Sequence, residues 1–477
     1  METVETKKSY LPALIALTSL FFMWGFITCM NDILVPYLKK LFELSYFEAM
    51  LVQFSFFTAY FIGSLLYFIV SVSTGDPIMR IGYKNGIIIG LLLSAIGCGL
   101  FYPAAASKSY GFFLTALFVL ALGFTILQIA ANPYVAALGK PEGASSRLNL
   151  SQAFNSFGTT IAPIFGGFMV FKFFALMGEP LTNSLGQPIE LSPGHYISAN
   201  GVQLPYLIFA GIFLLLAVFF VFMKLPKFSA EGAIEKGAGA LKHRPLVLGI
   251  VAIFMYVGAE VAIGSLLINY MKEMFSYPEV EAKSFLAFYW GGAMIGRFLG
   301  AISLGGMKNK IKKALLMLVV SIATFMVIFF AVNYEGGISF LRIAPFLIFL
   351  ALNFVGFMLG RSLPHRTLMI FSLIVIILLI TAISSTGMTA LWTIIGIGLF
   401  NSIMWSNLFT LAINGLGKHT SQGSSLLVMA ILGGAIIPLI QGAVADAIGI
   451  HYSYFVPILS YVYLAYYGWK GYKAVNS

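Results

Sequence analysis

From Tyr10 onward the chain alternates runs of about twenty or more mainly apolar residues with short segments holding Gly, Pro, Asn and charge. A run of that length crosses a hydrocarbon core of roughly 30 Å as a helix. The pattern predicts spans at 10–38, 48–73, 85–104, 109–137, 148–177 and 204–223. A stretch of Gly, Ala and charge follows at 224–244, and spans resume at 245–272, 282–304, 313–333, 339–360, 367–384, 388–413, 424–448 and 452–470. Fourteen spans, an even number, return the chain to the side on which it began. The fold class is therefore read as an all-α polytopic membrane protein.

The two halves of this pattern repeat each other. A shift of 233 residues sets Gly25 on Gly258, Leu34 on Leu267, Tyr37 on Tyr270, Lys39 on Lys272, Phe42 on Phe275 and Gly63 on Gly296. Farther along, a shift of 275 sets Gly123 on Gly398, Asn132 on Asn407, Gly158 on Gly433, Pro163 on Pro438 and Gly167 on Gly442. The difference of 42 residues is the size of two extra helices, placed between the second and fourth spans of the second half. Without them the plan is six plus six: a bundle at 1–223, a cytoplasmic linker at 224–244, and a second bundle at 245–477 that carries the inserted pair. Parallel repeats of this kind characterise transporters whose substrate site lies at the repeat interface near mid-membrane. The insert, "FLRIAPFLIFLALNFVGFML", holds little polar beyond Asn353, so a lipid-facing packing role is expected of it.

Composition sharpens the picture. Only 9% of residues are charged and 60% are hydrophobic, where a soluble domain carries about 25% charge. The net charge of +11 does not form a nucleic-acid patch. Lys and Arg fall mostly in alternate loops, and the segment 178–203 has none, which places both termini on the cytoplasmic side. Cys29 and Cys98 lie in apolar runs, so neither a disulfide framework nor a metal cluster is indicated. No cleavable signal is evident, because the first apolar run continues into Asn31 and Asp32. Walker, HExxH, CxxC and nucleophile-elbow patterns do not occur in a suitable context. An enzyme or a resident cofactor is not expected.

The candidate chemistry sits on polar residues inside the spans. Asp32 follows Asn31 in the first span, and its repeat partner is Ser265, so the fold does not require a carboxylate there. Burial raises a carboxyl pKa, which suits a group that exchanges a proton as a cavity opens to either side. Glu260 is the second carboxylate at membrane depth, and its repeat partner is Ile27. Gln128 and Asn132 are four apart, while Asn149, Gln152 and Asn155 step by three, so each set shares a helix face. With Asn31 and Gln53 they are the candidate substrate-binding amides, because an amide donates and accepts as a sugar hydroxyl does. Trp24, Phe26, Tyr289, Trp290 and Trp405 are aromatic candidates for stacking on a sugar ring. Arg297 ends its span and is read as snorkelling to the cytoplasmic side in preference to pairing with Glu260.

The segments "NDILVPYL", "QIAANPYVAALG", "RLNLSQAFNSFG", "YVGAE", "GRFLG" and "QGSSLLVMAILGGAIIPLIQG" together resemble the fucose, galactose and glucose proton symporters of the major facilitator superfamily. The resemblance covers nearly the whole chain apart from the inserted pair. It implies the major facilitator fold and sugar uptake by alternating access, driven by protons. The family's essential first-helix aspartate falls on Asp32, and its sugar-contacting amides fall on Gln152 and Asn155. The L-fucose permease pattern has a glutamate where this chain has Gln128, and a glutamine where it has Glu260. "YVGAE" is closer to the glucose/galactose branch, and Glu260 is expected to take over a role in binding or coupling. The loop "STGDPIMRIGYKNG" departs from the superfamily's gate motif, since Met79 occupies the acidic place and Asp76 is displaced.

The expectation is thus a secondary transporter importing a neutral hexose with a proton, monomeric, in a bacterial inner membrane. A sodium-coupled version also fits, because carboxylate and amide oxygens suit a hard cation. A non-transporting sugar sensor and a metabolite exporter share the architecture.

Overall fold

The protein is described by a computed structural model covering residues 10–474, apart from 45, 174–179, 183–186, 193–194, 197, 199, 227–235, 278 and 334–338. Its helices are α1 (Leu11–Leu41), α2 (Tyr46–Thr74), α3 (Tyr83–Ala106), α4 (Tyr110–Ala137), α5 (Ala144–Gly167) and α6 (Asn200–Phe222). The second half holds α7 (Arg244–Phe275), α8 (Glu279–Ser303), α9 (Lys310–Asn333), α10 (Phe346–Gly360) and α11 (Pro364–Ser384). Three further passes are interrupted: α12 runs Gly387–Asn401 and Met404–Ile413, α13 runs Thr420–Met429 and Gly433–Ile448, and α14 is Phe455–Tyr466 with a further turn to Gly471. Helices begin where proline has no donor to lose, as at Pro245 and Pro364 in the first turns of α7 and α11. Outside the spans, Glu190–Ser192 pairs antiparallel with His195–Tyr196. No hydrocarbon forbids open strand edges there.

Eleven helical segments among the described residues are long and apolar enough to cross a membrane. The exceptions are informative. Helix α10 has 15 residues and the α-helical part of α14 has 12, whereas α5 has length to spare and is diluted by Asn149, Gln152 and Asn155. The outward faces of α6 and α9 are apolar, with Leu215, Phe222, Val319 and Phe330 exposed, as an integral membrane protein requires.

The same helix contacts occur in both halves. Helix α1 packs on α5 as α7 packs on α13; α2 on α4 as α8 on α12; α3 on α4 and α6 as α11 on α12 and α14. The repeat-paired glycines make equivalent approaches: a Cβ at Gly158 would meet the Phe22 carbonyl of α1, and one at Gly433 the Phe254 carbonyl of α7. Small residues at these crossings let backbones touch, which is how helices associate without a hydrophobic drive between them. Helices α9 and α10 stand outside the scheme, α9 against α8 and α10 against α11 and α12. They are the two inserted helices expected from the register change.

Across the two halves, α5 meets α8 and α12, and α2 and α4 meet α13. At one end these contacts are sealed by hydrogen bonds. Ser145 and Thr410 hydroxyls lie 2.6 Å apart, Ser146 donates to the Ala301 carbonyl at 2.6 Å, and Asn149 donates to Asn407 Oδ1 at 3.3 Å. Asp76 caps the short helix Pro77–Ile81, accepting from the Ile78 and Met79 amides. It also accepts from Tyr67 at 2.5 Å and from Ser421 of α13 at 2.6 Å. Displaced from the usual gate position, the carboxylate still joins the halves, through neutral hydroxyl donors and not through a charge relay.

Candidate functional site

A cavity of about 260 Å³ lies between the halves. It is near the small end of ligand pockets, which run from about 300 Å³ upward. The first half lines it with Trp24 and Thr28 of α1, Gln53, Phe56, Phe57 and Tyr60 of α2, Gln128 of α4, and Gln152, Asn155 and Thr159 of α5. The second half contributes Tyr256 and Glu260 of α7, Arg297 of α8 and Trp405 of α12. Two indoles and three phenyl or phenol rings on α2 thus enclose a space edged by four amides, one carboxylate and one guanidinium.

Of the sequence candidates, Gln53, Gln128, Gln152, Asn155 and Glu260 come together in this cavity. Asn155 spends its amide nitrogen on the Phe21 carbonyl of α1 at 3.0 Å. Asn132 is fully buried with neither side-chain polar atom paired, and it does not line the cavity. Asn149 is also outside it, bonded to the Ser145 carbonyl at 2.8 Å and to Asn407. Asn31 and Asp32 belong to α1 by backbone, but their side chains lie outside the described residues. Among the aromatics Trp24 and Trp405 face the cavity. Phe26 packs on Phe22 and Phe209, and Trp290 is 40% exposed.

Arg297 overturns its expected orientation. Its guanidinium does not snorkel; the side chain is 14% exposed and Nη2 stands 3.9 Å from Glu260 Oε1. Nε donates to the Ser402 carbonyl at 3.2 Å, and Nη1 donates to the Ser156 hydroxyl of α5 in the other half. A planar fork with fixed donors suits three such partners as a point charge would not. At an effective dielectric near 20 the Glu260–Arg297 attraction is on the order of 4 kcal/mol, and lost hydration of both charges opposes it.

Among the described residues, three buried polar atoms on the cavity wall have no hydrogen-bond partner: Thr28 Oγ1, Trp405 Nε1 and Glu260 Oε1. Native interiors rarely leave such atoms unpaired, so Thr28 Oγ1 and Trp405 Nε1 keep hydrogen-bonding capacity toward the cavity, while Glu260 Oε1 faces Arg297. Behind Glu260 the polar groups are satisfied: Tyr289 donates to the Glu260 carbonyl at 2.9 Å, Asn401 donates to Tyr289 at 3.0 Å, and Tyr461 donates to Asn401 at 2.7 Å. Thr28, Tyr60, Tyr256, Ser156 and Thr159 were not singled out from the sequence. Threonine, serine and tyrosine are common in membrane helices, and only side-chain direction separates these from the rest.

The Major Facilitator Superfamily pattern matches residues 14–359. The chain is 43% identical to the glucose/galactose transporter of Brucella abortus, over 98% of this chain and 96% of that protein. It is 39% identical to the putative glucose/galactose transporter of Helicobacter pylori over 98% of each, and 31% identical to the L-fucose-proton symporter of Escherichia coli over 93% and 89%. Among solved structures, the Escherichia coli fucose:proton symporter superposes with a TM-score of 0.73 at 29% identity, covering 97% of this chain and 99% of that one.

Proposed function

The chain belongs to the Major Facilitator Superfamily, among the glucose/galactose transporters and L-fucose-proton symporters, and on that footing we propose that it imports a neutral hexose together with a proton by alternating access. The observation that carries this reading is the cavity between the halves, with unpaired Thr28 and Trp405 atoms and the Glu260–Arg297 pair beside a row of amides. Hydroxyls of a sugar ring donate and accept, as do Gln53, Gln128, Gln152 and Asn155. Its apolar face suits Trp24 and Trp405. Glu260 and Arg297 cancel in charge, which favours an uncharged guest.

The moving bodies are the bundles at 1–223 and 245–477, joined by the linker 224–244, with both termini in the cytoplasm of a bacterial inner membrane and the monomer as the working unit. Asp32 and Glu260 carry the coupling. With Glu260 ionised, Arg297 is neutralised where it stands; protonation releases that hold and leaves Arg297 tied to Ser156 and Ser402. Proton and sugar together then favour one arrangement of the bundles over the other, and only such differential binding can shift the equilibrium. The sealed end, held by Asp76–Ser421 and Ser145–Thr410, is the cytoplasmic gate in its closed form.

A panel of labelled glucose, galactose and L-fucose, offered to proteoliposomes under an imposed pH gradient, an imposed sodium gradient or neither, tests the reading. Accumulation of one of these sugars under the pH gradient is expected. Accumulation under sodium alone replaces the coupling ion, and no movement of any sugar sinks the reading.

A further inference from the structure

At the break in α12, side chains from three other helices donate to three backbone carbonyls. The helix stops at Asn401 and restarts at Met404. Tyr256 of α7 donates to the Asn401 carbonyl at 3.3 Å, and Arg297 of α8 takes the Ser402 carbonyl. The Leu399 carbonyl accepts from Ser402 Oγ at 2.7 Å and from Asn353 Nδ2 at 2.8 Å. Irregular backbone at membrane depth persists only where neighbouring groups re-satisfy it. One of those groups comes from α10, a helix of the inserted pair. The repeat register puts Leu127 and Gln128 of the unbroken α4 opposite Ser402 and Ile403: where the first half offers the cavity a side-chain amide, the second offers a turn.

Helix α10 is built for this contact. Asn353 is fully buried, and among the described residues its Oδ1 has no hydrogen-bond partner and the donation to Leu399 is the one hydrogen bond its side chain makes. One turn earlier on α10, Phe349 fills the surface of α12 at Gly396, where an added Cβ would collide with the ring. We propose that Asn353 is a positioning residue for the cavity: by capping the Leu399 carbonyl it fixes the turn whose Ser402 carbonyl anchors Arg297 and whose continuation carries Trp405. The inserted pair is then a buttress of the site, and not a lipid-facing ornament. This rests on the reading that Arg297 and Trp405 line the sugar cavity.

A double-variant cycle tests it in reconstituted full-length protein, with initial uptake rates of the labelled sugar that the unaltered protein moves best. Asn353→Leu and Asn353→Ala, made in parallel because either substitution alone could impair folding, both remove the donor; Asn353→Gln keeps one. Each donorless variant is expected to raise KM roughly tenfold with maximal rate per folded protein little changed, and Asn353→Gln to recover most of the loss. Combined with Arg297→Lys, the donorless effect is not expected to multiply, since both changes disturb one anchor. Lower thermal stability with an unchanged KM, or failure of both donorless variants to fold, marks Asn353 as helix glue and overturns the inference. Effects that multiply with Arg297→Lys overturn it as well. If Arg297→Lys and Trp405→Ala themselves leave KM unchanged, the cavity reading falls, and the inference with it.

Discussion

Glu260 and Arg297 show how far a sequence exposes chemistry at the level of single residues. Glu260 was legible because its repeat partner is Ile27, so packing did not explain a carboxylate at that depth. Arg297 was legible only as a choice between two directions, because helical spacing fixes which face a residue occupies and not which way a long side chain bends. The amide faces misled for a related reason. Asn132 is one turn from Gln128, about 6 Å along the axis, and that distance moves it out of the cavity and toward the sealed end. Asn149, one step from Gln152 in the other direction along the chain, meets Asn407 instead. Two outcomes follow. Glu260→Gln is expected to keep sugar counterflow within severalfold of the unaltered protein while losing accumulation under a pH gradient. Arg297→Lys keeps the charge but not the fork that reaches Ser156, Ser402 and Glu260, and is expected to weaken sugar affinity roughly tenfold, about 1.4 kcal/mol.

At the scale of helices, the repeat register foretold the paired crossings because glycine at a crossing is a requirement of backbone contact, which the chain displays openly. Gly158 and Gly433 stand against carbonyls of Phe22 and Phe254. A valine at either must push α1 from α5 or α7 from α13, costing about 1–3 kcal/mol by overpacking, and is expected to lower the thermal unfolding midpoint of detergent-purified protein. Gly442→Ala, where an added Cβ meets open space, is expected to leave it nearly unchanged. The break in α12 was not legible. The stretch "LFNSIMWSN" holds neither Pro nor Gly, and its interruption depends on Tyr256, Arg297 and Asn353, which converge on it only in the folded chain.

For the whole molecule, the unusual gate loop changes how the closed form is held. Asp76 serves at once as helix cap and as acceptor for Tyr67 and Ser421, so its two jobs can be separated by altering the donor. Ser421→Ala removes one bond between the halves and spares the cap; with a cysteine placed at Thr410, labelling by a membrane-impermeant maleimide from the sealed side is expected to quicken severalfold. An unchanged rate indicates that the Ser146–Ala301 and Asn149–Asn407 bonds hold the end shut without it. The overall plan, two repeated helical halves with a pair of inserted helices, was legible from length and register, whereas the direction in which the cavity faces was not, since helix length and register are the same whichever side it opens to. The most direct measurement is of the proton itself: in lightly buffered, de-energised vesicles, adding the transported sugar outside is expected to make the medium alkaline, and Glu260→Gln to abolish that signal while exchange continues. Sugar entry with no proton movement in the unaltered protein contradicts the account.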